Sequence, residues 1–185
     1  MSQISRCKPL VMVGRTKTCR ATSKARTALL SASAVLGLAA SALVADARAQ
    51  EPRTFRVQGQ YDDIRFELNN AIIERGLNPG SIGNIGEMLD RTGADVGSTT
   101  KVYKAAEYIS FCSAKLSRQM IEADPANLTF CPFVLVIYEP VAKPGEVVVA
   151  YRPLSPRGSP ASRDAIAAAD AMLESIAREA TKVAR

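Results

Sequence analysis

Residues 133–151, FVLVIYEPVAKPGEVVVAY, decide the fold. Phe133 to Tyr138 is apolar or aromatic at every position, which predicts a central strand covered on both faces. Pro140 to Gly145 interrupts the run with turn-forming residues. Val147 to Tyr151 then resumes a β-branched pattern and reads as the hairpin partner of the first strand. A hairpin makes two neighbouring strands antiparallel, so the flanking segments determine what covers the sheet.

Upstream, strands alternate with helices. Thr54-Phe55-Arg56-Val57-Gln58 has the period-2 alternation of a short half-buried strand, ended by Gly59. In residues 61–76, YDDIRFELNNAIIERG, Ile64, Leu68, Ala71 and Ile72 share one helical stripe. Asp62 is the expected N-cap, Tyr61 and Phe66 the expected hydrophobic staple, and Gly76 the left-handed stop. Residues 77–83, LNPGSIG, read as a short irregular strand or turn. NIGEMLDRTG (84–93) predicts a shorter helix capped by Asn84, with Glu87 at its third position and Gly93 at its end. Residues 94–101 are loop. VYKAAEYISF (102–111) predicts a strand, and Ser113 opens a helix that turns Leu116, Met120 and Ile121 inward. Asp124-Pro125 stops that helix, because the residue before a proline is pushed out of the helical region.

Downstream, the Pro/Gly/Ser-rich PLSPRGSP leads into a long helix over 161–184. Its apolar residues Ile166, Ala169, Leu173, Ile176, Ala180 and Val183 form one stripe. The stripe is shorter than the three or four heptads of a coiled coil and has alanine at two positions, so it predicts docking on the domain's own sheet. A helix-mediated dimer is the alternative. The expected fold is α+β, with helices packed on one antiparallel or mixed sheet and a long C-terminal helix.

The first 49 residues have a different character. Seven basic residues precede the first acid, Asp46, and Ala28 to Ala45 is an apolar run rich in Ala, Ser and Gly. Ala47-Arg48-Ala49 follows as a small-x-small cleavage signal before Gln50. Basic, apolar, small-x-small is the order of a secretory signal peptide. Residues 1–49 are therefore expected to leave on export, and initiation at Met12 would preserve the same signal. The run meets the lower length for a membrane span, but its weak hydrophobicity and the cleavage site oppose a stable anchor. Residues 50–185 then form a single domain, large enough to bury roughly two-thirds of its unfolded surface.

Removing the leader removes the positive charge. Eight of the 24 Lys+Arg and one of the 18 Asp+Glu lie in residues 1–49, leaving 16 against 17 and a net charge of −1. The full chain's +6 therefore gives no reason to expect a nucleic-acid partner.

The chain has no histidine, which excludes Ser-His-Asp and Cys-His catalysis, His-dependent metal sites and the c-type haem attachment motif. No catalytic residue, cofactor or metal site is expected. The four glycines 76, 80, 83 and 86 follow a helix and lack a P-loop lysine, so they read as turn and cap residues. Asp62 and Asp63 are adjacent on a helix and do not face each other as an acid/base pair would.

Only Cys112 and Cys131 remain after cleavage, and export would place them where disulfides persist. A helix starting at Ser113 carries the chain about 16 Å away, and residues 124–130 reach back about 23 Å if extended. A structural disulfide, two inert thiols and a redox pair all remain open. The redox reading rests on Cys112 preceding a helix with Lys115 and Arg118 in its first turns, an arrangement that lowers a thiol pKa. Against it, the pair is not C-x-x-C, and Phe111, Phe130 and Phe133 surround it. The thiols alone are too few for zinc.

The block FCSAKLSRQMIEADPANLTFCPFVLVIYE, with RTGADVG upstream and the terminal helix, resembles the domain of unknown function 302 family, with its TT1751-like α+β fold. The likeness spans most of residues 54–184. It implies helices against an antiparallel sheet, homodimers, and no established activity. Ser113-Ala114 stands where Asn-Pro is common in the family, and Pro132 where Asn is common.

Tyr108, Lys115 and Arg118, around the start of the 113–123 helix, are the candidate ligand-binding residues, because pockets pair apolar walls with a few polar groups. The expected function is an exported, non-enzymatic small-ligand-binding or accessory module of the periplasm. Its partners would be a second copy, a small molecule or a periplasmic protein. The alternative is a thiol-redox protein using Cys112 and Cys131.

Overall fold

Strands β1 (Arg53–Gln58), β2 (Pro79–Asn84), β3 (Tyr103–Phe111), β4 (Phe133–Pro140) and β5 (Glu146–Tyr151) form one sheet in the order β1-β5-β4-β3-β2. Every pairing is antiparallel, and the β4–β5 hairpin occupies the middle. The computed structural model describes residues 50–182. The expected leader with Met12, Ala47 and Ala49, and the end of the last helix with Val183, lie outside the described residues. Four helices accompany the strands: α1 (Tyr61–Ile73), α2 (Ile85–Thr92), α3 (Ala114–Ala123) and α4 (Pro160–Ala180). A 3₁₀ segment, Pro125–Phe130, joins α3 to β4. This is the expected α+β architecture, with the sheet wholly antiparallel.

The core lies between one sheet face and helices α1, α3 and α4. Ile64, Leu68 and Ile72 of α1, Met120 of α3 and Ile166, Leu173 and Ile176 of α4 are fully buried against Ile109, Leu135, Ile137, Val147 and Val149. The α4 stripe therefore docks on its own domain, as its spacing predicts. Ser159 caps α4 by accepting from the Ser162 N–H at 3.2 Å, and Pro160 takes the first position, where its missing N–H costs nothing. Asn84 caps α2 by accepting from the Glu87 N–H at 2.9 Å.

Two expectations need correction. The first concerns β4, which is not covered on both faces. Phe133, Leu135, Ile137 and Glu139 point into the core, whereas Val134 is 40% exposed and Val136 and Tyr138 are half-buried. All three core helices lie on one side, so the other face of β4 keeps its apolar side chains without a helix over them. On β5 the register sets Val148 between Arg56 and Tyr138 and Ala150 between Thr54 and Val136. These neighbours shield the small residues, and both are buried.

The second correction concerns the start of α1. Gln60, not Asp62, is the N-cap, with no side-chain bond, and Asp62 and Asp63 fall in the first turn. There their carboxylates favour the positive end of the helix dipole. Tyr61 packs towards the core, while Phe66 is 62% exposed, so no staple forms. Gly76 does provide the left-handed turn after α1, at φ +69°.

A buried polar knot ties the 3₁₀ segment to α4. Asn127 is fully buried and donates to the Met120 carbonyl at 2.9 Å and to Ser162 Oγ at 2.8 Å. Arg157 donates from Nε to Asn127 Oδ1 at 3.3 Å and lies over the Phe130 ring, 4.6 Å from its centroid. Asp170 of α4 accepts from the Leu154 N–H at 2.8 Å and pairs with Arg53 of β1 at 3.3 Å. Both links fix the chain that brackets the open end of the hairpin.

Candidate functional site

Phe111 of β3 lies opposite Phe133 of β4. Cys112, one residue past β3, and Cys131, two residues before β4, therefore reach the same end of the sheet. Both are free thiols; Cys112 is exposed and Cys131 half-buried, with its Sγ 3.3 Å from Ser117 Oγ. The Cys131–Pro132 peptide is cis. Partial desolvation and the neighbouring Cys131 thiol raise the Cys112 pKa above its ordinary value, against a smaller lowering by a backbone hydrogen bond at Phe133. This is opposite to the shift expected from a helix N-terminus with Lys115 and Arg118 nearby. Arg118 is committed elsewhere: it pairs with Glu122 at 3.1 Å on the outer surface of α3 and is 78% exposed.

The other candidate residues do not converge. Tyr108 sits on β3 directly opposite Gly83, and its ring fills the space a side chain at 83 would take, since a Cβ there would lie 2.0 Å from the ring. Lys115 is exposed on α3. Among the described residues, no hydrogen bond or ion pair joins Tyr108, Lys115 and Arg118.

The structure instead opens a groove of about 590 Å³ at the open end of the hairpin. Thr129, Phe130 and Pro132 before β4, Val134 and Val136 on β4, and Ala150 to Leu154 at the end of β5 form its walls, with Pro52 and Leu173 closing it. That size and apolar lining suit a small molecule. Its single charged lining residue is Arg152, which is exposed. The floor is fixed from below: the Tyr151 hydroxyl donates to the Asp170 carbonyl at 3.4 Å, and burial followed by the Asp170 charge pushes its pKa up to about 12. Tyr151 therefore stays neutral at physiological pH.

Sequence reading missed this groove because its residues run from Pro52 to Leu173 and none has catalytic chemistry. The available signal was indirect: prolines 132 and 153 bracket the hairpin, where chain direction must change. Among the described residues, no group of three His, Cys, Asp or Glu side chains is placed to hold a metal ion. None of the described helices is long and apolar enough to cross a membrane.

A family model, "Domain of unknown function DUF302", matches residues 53–182. The chain belongs to the DUF302 family. This DUF302 domain is similar in fold to the crystal structure of an uncharacterized conserved protein DUF302 from Bacillus stearothermophilus. That likeness has a TM-score of 0.57 at 14% identity, covering 70% of this chain and 97% of the other. No curated protein matches the chain. The family assignment carries a fold and no activity, so the groove and the thiol pair are where chemistry can be argued.

Proposed function

We propose that this DUF302 protein is an exported, non-enzymatic binding module that acts in the periplasm and holds a small, largely apolar molecule in the groove at the open end of the β4–β5 hairpin. The groove is the observation that carries the reading: about 590 Å³, mostly apolar and bounded by fixed elements. The basic, apolar, small-x-small order of residues 1–49 supports export. The family resemblance supports self-association into a homodimer, for which the sheet face around Tyr138, beyond the groove walls Val134 and Val136, is the available surface.

Protein taken from the envelope of its host should begin at Gln50 and carry a co-purifying small molecule in native mass spectrometry. Full-length protein recovered from the cytosol would refute export. Protein without a bound molecule across several growth conditions, and without a thermal shift in a panel of apolar compounds, would refute the binding role.

A second reading, thiol-redox chemistry at Cys112 and Cys131, is favoured by the adjacency of the two thiols. The raised Cys112 pKa opposes a reactive thiolate. Alkylation of Cys112 well below the ordinary thiol pKa of about 8.5 would promote this reading, and slow alkylation up to that pH would remove it.

A further inference from the structure

We infer that the groove is built for an apolar molecule carrying one negative charge, a medium-chain monocarboxylate in its simplest form, with Arg152 as the counter-charge. The inference rests on the binding role proposed above and specifies its ligand class. Six other arginines, Arg53, Arg56, Arg65, Arg75, Arg118 and Arg178, each pair with a carboxylate of the domain. Arg157, beside the groove, gives its donors to Asn127, Ala126 and Thr129. Arg152 lines the groove, and among the described residues no carboxylate pairs with it.

No acid lines the groove to repel an anion. Thr129 is already engaged, donating to the Ala126 carbonyl at 2.9 Å and accepting from Arg157 at 2.8 Å. The strong polar handle left at the mouth is therefore one guanidinium, whose planar fork matches a carboxylate in a bidentate pair. Arg157, held beside the groove by neutral acceptors only, adds its positive charge to the same end of the groove. Phe130, Val134 and Leu154 present the apolar surface that takes the ligand's chain.

The test is calorimetric titration of the protein purified from the envelope of its host with octanoate, 1-octanol and octylamine, repeated on Arg152→Gln and on Val134→Trp, which fills the groove. Octanoate should bind up to about fivefold more tightly than 1-octanol, the gain expected of an exposed charge pair worth about 1 kcal/mol. Arg152→Gln should bring octanoate and 1-octanol to equal affinity, and Val134→Trp should abolish binding of both. Raising the salt should narrow the octanoate preference, because Arg152 is exposed. Equal binding of octanoate and 1-octanol, or an unchanged octanoate affinity in Arg152→Gln, would overturn the charge inference and leave the groove standing. Failure of all three compounds to bind at millimolar concentration would overturn the inference and the binding role together.

Discussion

Replacing Asn127 by alanine should destabilise the domain more than its place in a short 3₁₀ segment suggests. Asn127 is fully buried and serves three partners: the Met120 carbonyl, Ser162 Oγ and Arg157 Nε. The loss is uneven. The Met120 carbonyl still accepts from the Asp124 N–H at 3.1 Å, and Arg157 keeps its bonds to Ala126 and Thr129. Ser162, itself fully buried, is left with an orphaned hydroxyl. The bonds to Met120 and Arg157, whose groups keep other partners, contribute about 0.5 kcal/mol each, and the orphaned Ser162 hydroxyl costs about 2 kcal/mol, for a total of about 3 kcal/mol. With an unfolding entropy of ~2.1 cal/mol/K per residue, that lowers Tm by roughly 10 °C in a domain of this size. Urea unfolding and calorimetry of Asn127→Ala, Ser162→Ala and the double variant measure it. Removing the orphan should make the double variant at least about 1 kcal/mol more stable than additivity predicts. Additive losses, or a single-variant loss under about 1 kcal/mol, would refute the reasoning.

Other outcomes can be checked alongside. Oxidising Cys112 and Cys131 with a low-molecular-weight disulfide should form an intramolecular bond closing a loop of about 20 residues, worth about 3 kcal/mol by loop entropy and read as a reductant-sensitive rise in Tm of roughly 10 °C. An unchanged Tm, or dimers on non-reducing gels, would contradict it. Glu139 is held below its ordinary pKa of 4.5 by the Gly145 N–H at 2.8 Å and then by Lys104 at 3.0 Å. Its contribution should be complete above pH 4.5 and fall away as the pH drops through the lowered folded value, because the unfolded chain takes up the proton first. Chemical unfolding at pH 7 and pH 3.5 should show a smaller acid loss in Glu139→Gln than in the parent. Leu173→Ala, in the fully packed α4 stripe, should cost about 2–5 kcal/mol in the same assay.

The sequence and the fold agree most closely where a local pattern has one solution. The α4 stripe, the Asn84 cap and the β4–β5 hairpin all lie where periodicity and turn residues put them. Agreement fails where the answer depends on what packs from afar. Six apolar residues in a row at 133–138 do not reveal that α1, α3 and α4 all pack on one face, so the other face of β4 is only half-buried. Phe66 is apolar yet off the α1 stripe, and local rules alone assigned it a staple. The site was harder to read for the same reason. Adjacency of Cys112 and Cys131 follows from the β3–β4 register, which sequence spacing permits without requiring. The groove draws on segments more than a hundred residues apart, and its one charged residue, Arg152, looks in the sequence like any strand-end arginine.

The position of α4 governs when this protein can become itself. This helix, C-terminal to every other described element, touches α1, α3, β1, β4 and β5. Until it arrives, Ile64, Leu68 and Ile137 have no lid, and the hairpin is a bare ribbon with nothing to lean on. A domain folds as a unit, and this one closes its core with its most C-terminal described element. Without α4, the buried side chains that α1, α3 and the sheet present to it would lie open, so the strands and helices made before it cannot complete the core by themselves.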